Sequence, residues 1–177
     1  YNFTGWKAGS TTVGAGATVV TGSSNISYTA QWVARVYRIS YDWNGGRGTA
    51  VSDVDYTFGT TAITLPLVGD RIKDGYNFAG WYTNATGTGG SAYAAAASYS
   101  SAANIILFAK WDPVARTVTY NLGSGTGTIP TQLTGRFIGG TFATAEATGF
   151  SRSGFAFAGW SDGTNTYAGG ATWTVPA

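Results

Sequence analysis

The stretch GYNFAGWYT, residues 75–83, decides the fold, because two close variants of it occur elsewhere in the chain. YNFTGW opens the chain at residues 1–6, and GFAFAGW occupies residues 154–160. Each copy places an aromatic residue, a Phe and the pair Gly-Trp at the same spacing. A pattern that returns three times within 177 residues indicates an internal repeat.

Three landmarks give the length of this repeat. The step from Trp32 to Trp111 equals the step from Trp81 to Trp160, and we call this step the repeat length. The segments ISYDWNGGRG (39–48) and VTYNLGSGTG (118–127) are offset by the same step. The spacing divides the chain into three parts. Residues 1–33 are the C-terminal half of a first repeat, residues 34–112 are a complete repeat, and residues 113–177 are a third repeat that lacks its last strand.

The complete repeat is expected to be mainly β, as a mixed sheet of about four strands with a short helix or loop. Residues 36–43 alternate in the manner of a strand, and Asn44-Gly45-Gly46 favours a turn. Gly80 is expected to leave room for a ring or to permit a bend. The other expected strands are 51–59, 76–83 and 104–111, and 67–75 is a short helix or a turn.

Large aromatic side chains are expected to form the core. A module as short as one repeat buries only about 60% of its unfolded surface, so side chains that bury roughly 150–250 Å² each fill its core efficiently. The predicted core residues are Phe3, Trp6, Trp32, Phe78, Trp81, Trp111, Phe157 and Trp160.

The composition excludes several classes of function. The chain contains no His, Cys or Met, only 10% of its residues are charged, and its net charge is +2. So small and scattered a charge does not indicate nucleic-acid binding. No apolar run reaches the roughly 20 residues that span a bilayer. We expect no cofactor, no metal site and no catalytic residue. Asp53 and Asp55 share a strand face, but a solubilising outer face explains them better than hydrolysis does.

Aromatic residues outside the predicted core are the candidates for ligand or partner binding, because aromatic rings bind sugars and proteins. The alternative is that some of them fill the core or the joints between repeats. They are Tyr82, Tyr93, Tyr99, Tyr167 and Trp173.

Together these segments resemble the Listeria–Bacteroides repeat, also called the internalin B-repeat. The matching segments are ISYDWNGG (39–46), GYNFAGWYT (75–83) and NIILFAKW (104–111). The first part of the chain matches with NISYTAQW (25–32), and the third repeat departs from the pattern at Leu122 and Ser124. The resemblance implies β-grasp-like α+β modules, arranged in tandem in bacterial surface and secreted proteins, with no known catalytic residues.

The resulting expectation is a structural or adhesive segment at the bacterial cell surface or outside the cell, acting as a stalk or fibre module. Its partners would be neighbouring repeats or identical subunits. The strand NISYTAQW (25–32) could complete the third repeat of another copy and build head-to-tail filaments. Alternatively, the ends of the chain simply cut through repeats. The alternative function is a module that binds carbohydrate or a host protein through exposed aromatic residues.

Overall fold

A computed structural model describes residues 1–20, 22–60 and 62–176. Within these ranges the regular structure consists of eighteen β-strands, with no helix. The prediction of a mainly β fold is therefore confirmed. The strands are β1 (Asn2–Ala8), β2 (Thr11–Val13), β3 (Thr29–Val33), β4 (Val36–Asp42), β5 (Val54–Thr57), β6 (Ile63–Thr64), β7 (Tyr76–Tyr82), β8 (Ala92–Tyr93), β9 (Ser98–Tyr99), β10 (Ile105–Pro113), β11 (Arg116–Val118), β12 (Thr126–Gly127), β13 (Leu133–Arg136), β14 (Thr141–Ala143), β15 (Phe150–Ser151), β16 (Trp160–Ser161), β17 (Thr166–Tyr167) and β18 (Thr172–Thr174).

The chain forms two compact units, each built from two segments. The first unit contains Tyr1–Arg71 and Ala79–Lys110, and the second contains Ile72–Phe78 and Trp111–Ala177. These units follow spatial contacts, so they differ from the three parts expected from the repeat. The sequence division remains a prediction about where each repeat begins and ends.

Two larger sheets are present. One has the order β2-β1-β3 and is antiparallel throughout. The other has the order β5-β4-β10-β7-β8, and it belongs to the complete repeat. In it, β4 and β10 are parallel, with Ile39 opposite Ile105 and Tyr41 opposite Leu107. The last strand of this repeat in sequence is therefore its central strand in space.

The core of the first unit lies against this five-stranded sheet. The strand alternation seen in the sequence places Ile39 on the buried face of β4 and Leu107 on that of β10, and both are fully buried. Trp81 from β7 and Leu65 from the loop after β6 complete the set of the largest fully buried side chains. A parallel pair covered by large apolar groups is the arrangement expected for a sheet interior.

The second unit contains short strand pairs in place of a large sheet. Their pairings are β11 with β13, β12 with β15, β14 with β18, and β16 with β17. All of these pairs are antiparallel. The third repeat thus has the hairpin elements of the complete repeat without a shared central strand among the described residues.

The glycine before each motif tryptophan adopts a conformation that other residues rarely reach. The φ angles of Gly5, Gly80 and Gly159 are +143°, +120° and +141°. A Cβ atom on Gly80 would lie 2.6 Å from the backbone oxygen of Tyr93 on the neighbouring strand. The equivalent distances are 2.3 Å at Gly5 and 2.5 Å at Gly159. The space beside the glycine is therefore occupied by a strand backbone, not by a ring, and β1 shifts register beside Gly5.

Residues 67–75, expected to form a short helix or a turn, contain turns. Gly69 and Asp70 form one turn, and Asp74 and Gly75 form the next. Gly69 and Gly75 both have positive φ angles, of +57° and +75°. Glycines in the left-handed region at both ends of this short segment favour turns over a helix.

Candidate functional site

The aromatic cluster of the complete repeat is centred on Trp81. The rings of Tyr41 and Trp43 lie 5.1 Å and 4.8 Å from that of Trp81, measured between centroids. The indole nitrogen of Trp81 donates a hydrogen bond to the backbone oxygen of Pro66 at 2.9 Å. Arg71 stacks its guanidinium 4.7 Å from the centre of the Trp43 ring. The hydrogen bond orients the buried indole within the core.

The third repeat shows the same geometry one repeat length further along the chain. The indole nitrogen of Trp160 donates to the backbone oxygen of Ala145 at 2.7 Å, and its ring lies 4.6 Å from that of Tyr120. The hydroxyl oxygen of Tyr120 accepts a hydrogen bond from the backbone nitrogen of Ala145 at 3.0 Å. Position 120 in the third repeat corresponds to Tyr41 in the complete repeat. The two repeats therefore share the tyrosine–tryptophan ring contact and the indole hydrogen bond. The Tyr120 hydroxyl contact has no counterpart, because Pro66 has no N–H group and the buried Tyr41 hydroxyl has no hydrogen-bond partner among the described residues.

Beside Trp160 the third repeat contains an open groove of about 890 Å³. Residues 117–123 and residues 155–161 both line this groove. Phe142, Phe150 and Trp173 also line the groove, and polar side chains such as Arg152 and Asp162 line it as well. Concave sites of this size that combine aromatic side chains with placed polar groups are typical of binding sites.

The position of the groove follows from the repeat. Residues 115–121 correspond to β4, and residues 155–161 correspond to β7. In the complete repeat β10 lies between β4 and β7, and within the second unit no described strand takes that place. As a result, residues 119–122 and 156–159 lie outside the strands. We therefore take this groove as the candidate functional site.

Several predicted core residues lie at the surface. Trp6 is 42% exposed, Trp32 is 60% exposed and Phe157 is 40% exposed. Their ring contacts are nevertheless present, because Phe3 packs 5.2 Å from Trp6 and 5.3 Å from Trp32. Among the described residues, the first part of the chain and the third repeat have no five-stranded sheet that could cover these rings.

The remaining predicted core residues are more enclosed. Trp81 is fully buried and Trp111 is buried, with the ring of Phe78 5.5 Å from that of Trp111. Phe3, Phe78 and Trp160 are half-buried. The two buried residues of the predicted core, Trp81 and Trp111, both belong to the complete repeat.

The five predicted binding residues do not come together. Tyr99 is 3% exposed, so it belongs to the core of the first unit and the expectation of an accessible ring there is wrong. It packs between Tyr56 and Tyr93, with centroid distances of 5.9 Å and 5.5 Å. Tyr82 and Tyr93 are half-buried in the first unit. Tyr167 and Trp173 are half-buried in the second unit, where both line the groove.

The acidic residues considered for catalysis have structural contacts. Asp55 accepts hydrogen bonds from Arg38 at 2.7 Å and 2.8 Å, and this guanidinium holds the pKa of the Asp55 carboxyl below its usual value. Asp53 accepts a hydrogen bond from the Ser40 hydroxyl at 2.9 Å. Across the described residues no group of three or more acidic, His or Cys side chains is placed to hold a metal ion. These contacts fit the solubilising strand face expected from the sequence.

Asp162 organises the turn beside the groove. Its carboxylate accepts hydrogen bonds from the backbone nitrogens of Asn165 and Thr164 at 2.8 Å and 2.9 Å. The Tyr167 hydroxyl donates to the other oxygen at 3.1 Å. The backbone hydrogen bonds lower the pKa of Asp162, because they favour the charged form. This polar turn positions Tyr167 at the groove.

Some aromatic residues that line the groove were not predicted from the sequence, because they lie outside the repeated motifs. Tyr120 could have been found, because it lies one repeat length after Tyr41. Phe150 gave no such signal, because Arg71 occupies the corresponding position of the complete repeat. In the third repeat the ring of Phe150 lies 5.3 Å from that of Trp160. An aromatic side chain thus contacts the third-repeat cluster from a position where the complete repeat has a cation.

Comparison with known proteins places this geometry in context. The chain is 36% identical over 129 residues to a protein of Evansella cellulosilytica named "Putative Gly-rich membrane protein", which covers 71% of this chain. It is also 36% identical over 107 residues, 60% of the chain, to a "Putative membrane protein" of the same organism. The aligned parts amount to 14% and 15% of those relatives' lengths. No solved structure matches the chain. Among the residues that the structure describes, none forms a helix able to cross a membrane.

The Listeria-Bacteroides repeat domain matches the chain twice, over residues 37–110 and residues 117–176. The first match covers the five-stranded sheet, and the second covers the groove. The resemblance to the Listeria–Bacteroides repeat, which was based on three sequence segments, is therefore confirmed. The chain belongs to the Listeria-Bacteroides repeat domain family.

Proposed function

We propose that this chain is a force-bearing structural segment, a stalk or fibre module, of a bacterial surface or extracellular protein. The observation that carries the proposal is the parallel pairing of β4 with β10, the first and last strands of the complete repeat. A tandem repeat receives force at its two ends, which here are the start of β4 and the end of β10. Because these strands are parallel neighbours, force at the ends slides them along each other and loads their hydrogen bonds together.

We also infer that the complete repeat is β-grasp-like. The support is the strand order β5-β4-β10-β7-β8, in which the parallel pair β4-β10 is central, β5 is antiparallel to β4, and β7 is antiparallel to β8. A β-grasp module normally carries a helix across the sheet. In this chain turns and the short pair β6-β9 stand between the two hairpins. The arrangement suits a spacer, since the complete repeat is closed by its own last strand.

The two relatives support a surface location, because their printed names describe membrane proteins and one is also named Gly-rich. This chain has 27 glycines in 177 residues, so it shares that composition. A repeat segment that occupies about one seventh of a long membrane-associated protein would serve as a spacer between its anchor and its outer parts.

Force spectroscopy on single molecules tests the force-bearing role. Because the chain contains no Cys, handles can be attached at Val36→Cys and Pro113→Cys without competing thiols. We expect the complete repeat to unfold in one event that releases roughly 25 nm, at ~3.4 Å per residue. The control pulls the same protein at Val36→Cys and Thr57→Cys, a strand-end pair that separates one hydrogen bond at a time. A rupture force at the first pair of sites no higher than at the second would contradict the proposal.

A carbohydrate- or host-protein-binding module is the second candidate. It is favoured by the exposed rings of Trp6 and Trp32, which present aromatic surface in the first part of the chain. Tyr82, whose ring lies 5.0 Å from the ammonium of Lys110, is a further contact on the complete repeat. Screening on a glycan array tests this function. Binding that is lost in Trp32→Ala, Tyr82→Ala or Trp173→Ala would favour it over the force-bearing role.

A further inference from the structure

The beginning of the motif strand in the complete repeat contacts the third repeat. By its contacts, Ile72–Phe78 belongs to the second compact unit, together with Trp111–Ala177. The backbone nitrogen of Val114 donates a hydrogen bond to the backbone oxygen of Gly75 at 2.8 Å. Gly75 also lies against Ile138, because a Cβ atom on this glycine would overlap the end of the Ile138 side chain. The space beside Gly75 is therefore filled by a side chain of the third repeat.

The first part of the chain contacts the complete repeat in a similar way, within the first unit. Tyr1 corresponds to Tyr76 of the repeated motif, and its ring packs edge-on against that of Phe58 at a centroid distance of 6.0 Å. The side chain of Arg35 donates a hydrogen bond to the side-chain oxygen of Asn2 at 2.6 Å. The backbone nitrogen of Phe58 donates to the backbone oxygen of Arg35 at 2.9 Å. The motif strand, the residue before β4 and the end of β5 therefore meet.

The same places of the repeat take part in both contacts. Arg35 and Val114 are one repeat length apart, and so are Gly59 and Ile138. Each contact also contains a glycine that makes room for a larger side chain. At Gly59 a Cβ atom would lie 2.7 Å from the hydroxyl oxygen of Tyr1, and at Gly75 it would meet Ile138. The two contacts thus use different residues in equivalent positions.

The turn that presents Ile138 is itself held in place. The backbone nitrogen of Gly139 donates to the backbone oxygen of Val175 at 3.0 Å, and that of Gly140 donates to the backbone oxygen of Phe137 at 2.9 Å. Val175 is buried, so the first of these bonds ties the turn to the core of the second unit. Ile138 is therefore carried by a fixed turn.

We propose that these places form a joint that couples each repeat to the next repeat of the same chain. The partner is supported by the recurrence of the contact at equivalent positions in two separate units. In tandem-repeat proteins the stability of the array includes a contribution from each interface between neighbours, so such a joint makes the folding of one repeat depend on the next. The proposal deepens the structural role proposed above, on which it rests, by naming what holds successive repeats together.

A double-mutant cycle on the full chain tests the joint. Gly75→Ala places a methyl group against Ile138, and Ile138→Ala removes the atoms that this methyl group meets first. The backbone cost of alanine at a φ angle of +75° is common to both backgrounds, so it cancels in the cycle. In the Ile138→Ala background, Gly75→Ala should lower the urea midpoint by about half as much as in the native chain, or less. Equal shifts in the two backgrounds would overturn the proposal.

The matched control is Gly154→Ala. Gly154 lies one repeat length after Gly75, its φ angle is +77°, and no atom lies within 4 Å of an added Cβ. Ile138→Ala should leave the shift caused by Gly154→Ala unchanged. A reduction as large as the one at Gly75 would mean that Ile138→Ala acts on the chain as a whole, and it would count against a joint.

Hydrogen exchange followed by mass spectrometry tests the coupling directly. Ile138→Ala should speed exchange of the Val114 amide, which is bonded to Gly75, by about tenfold. Ile129→Ala makes the same change at a side chain that is 60% exposed, and it should leave this amide unaffected. Unchanged exchange at Val114 in Ile138→Ala would refute the coupling. That result would leave the force measurement on the complete repeat standing, because the measurement depends on the pairing of β4 with β10.

Discussion

The indole nitrogen of Trp81 donates a hydrogen bond to the backbone oxygen of Pro66, 2.9 Å away, and this bond anchors the buried ring of the repeated motif. Replacing Trp81 with Phe keeps an aromatic ring but leaves the Pro66 oxygen without that donor. We expect the free energy of unfolding to fall by about 1–3 kcal/mol, the usual cost of an unsatisfied buried group. Urea unfolding followed by far-UV circular dichroism measures this change.

The control for this substitution is Trp6→Phe. Trp6 holds the same place in the motif, but it is 42% exposed, so its replacement should change the free energy of unfolding by no more than about 0.5 kcal/mol. Equal losses for the two variants would show that the buried indole has no special role.

The glycine that precedes the motif tryptophan is predicted to tolerate no side chain. Gly80→Ala places a Cβ 2.6 Å from the Tyr93 oxygen at a φ angle of +120°. Backbone strain of this kind costs about 1–3 kcal/mol, and the contact with the carbonyl adds to it. The thermal unfolding temperature should therefore fall. Gly14→Ala is the matched control, because no atom lies within 4 Å of its added Cβ. An unchanged unfolding temperature in Gly80→Ala would refute this interpretation of the motif.

Stability is predicted to fall at high pH through Tyr56. Burial, with smaller contributions from Tyr99 and other tyrosines nearby, raises the pKa of Tyr56 from 10.0 to about 12. Its hydroxyl also donates a hydrogen bond to the backbone oxygen of Ser101. Between these two pKa values the folded chain binds the proton more tightly than the unfolded chain does. The contribution is therefore complete below pH 10 and is lost as the pH rises toward 12.

Comparing the native chain with Tyr56→Phe between pH 9 and pH 12 isolates this effect, because every other titrating group is common to both. The native chain should lose more stability over this range than the variant. Parallel curves for the two proteins would mean that Tyr56 titrates alike in the folded and unfolded states.

At acid pH the turn at Asp162 should weaken. Hydrogen bonds from the backbone nitrogens of Asn165 and Thr164 lower the pKa of this carboxyl below 3.8. Its contribution to stability is present above that unfolded value and is lost as the pH falls through the folded pKa. Asp162→Asn keeps an acceptor oxygen and removes the titration, so its unfolding midpoint should depend less on pH between 5 and 2. Urea titrations at several pH values, with Asp112→Asn as a control, measure the difference.

The repeated sequence motifs were enough to predict a β module and its family. Each motif marks a strand in which residues facing the core alternate with residues facing solvent. Val36–Asp42 and Ile105–Pro113 lie close to the strands expected there. The strand order could not be predicted, since nothing in the sequence indicates that the last strand of the repeat inserts between its first and third strands. The groove was not predicted for the same reason, because it lies where no described strand is inserted.

The exposed fraction of each aromatic side chain was the other property that could not be predicted from the sequence. Trp111 and Trp32 occupy equivalent positions of the repeat, yet the first is buried and the second is 60% exposed. The difference depends on how many strands surround each ring, which is a property of the whole repeat. Tyr99 shows the reverse case, because it lies outside the repeated words and is buried by Tyr56 and Tyr93.

The central position of β10 also determines when a repeat can fold. Arg38 and Asn104, which are joined by a hydrogen bond beside this strand, are 66 positions apart in the chain. Contacts of such high separation form late and slowly, because the intervening loop must close first. A chain synthesised from its amino terminus presents four strands of this sheet before the fifth is made. Because β10 pairs with the first of them, the complete repeat can close its sheet only after its last residues have been added.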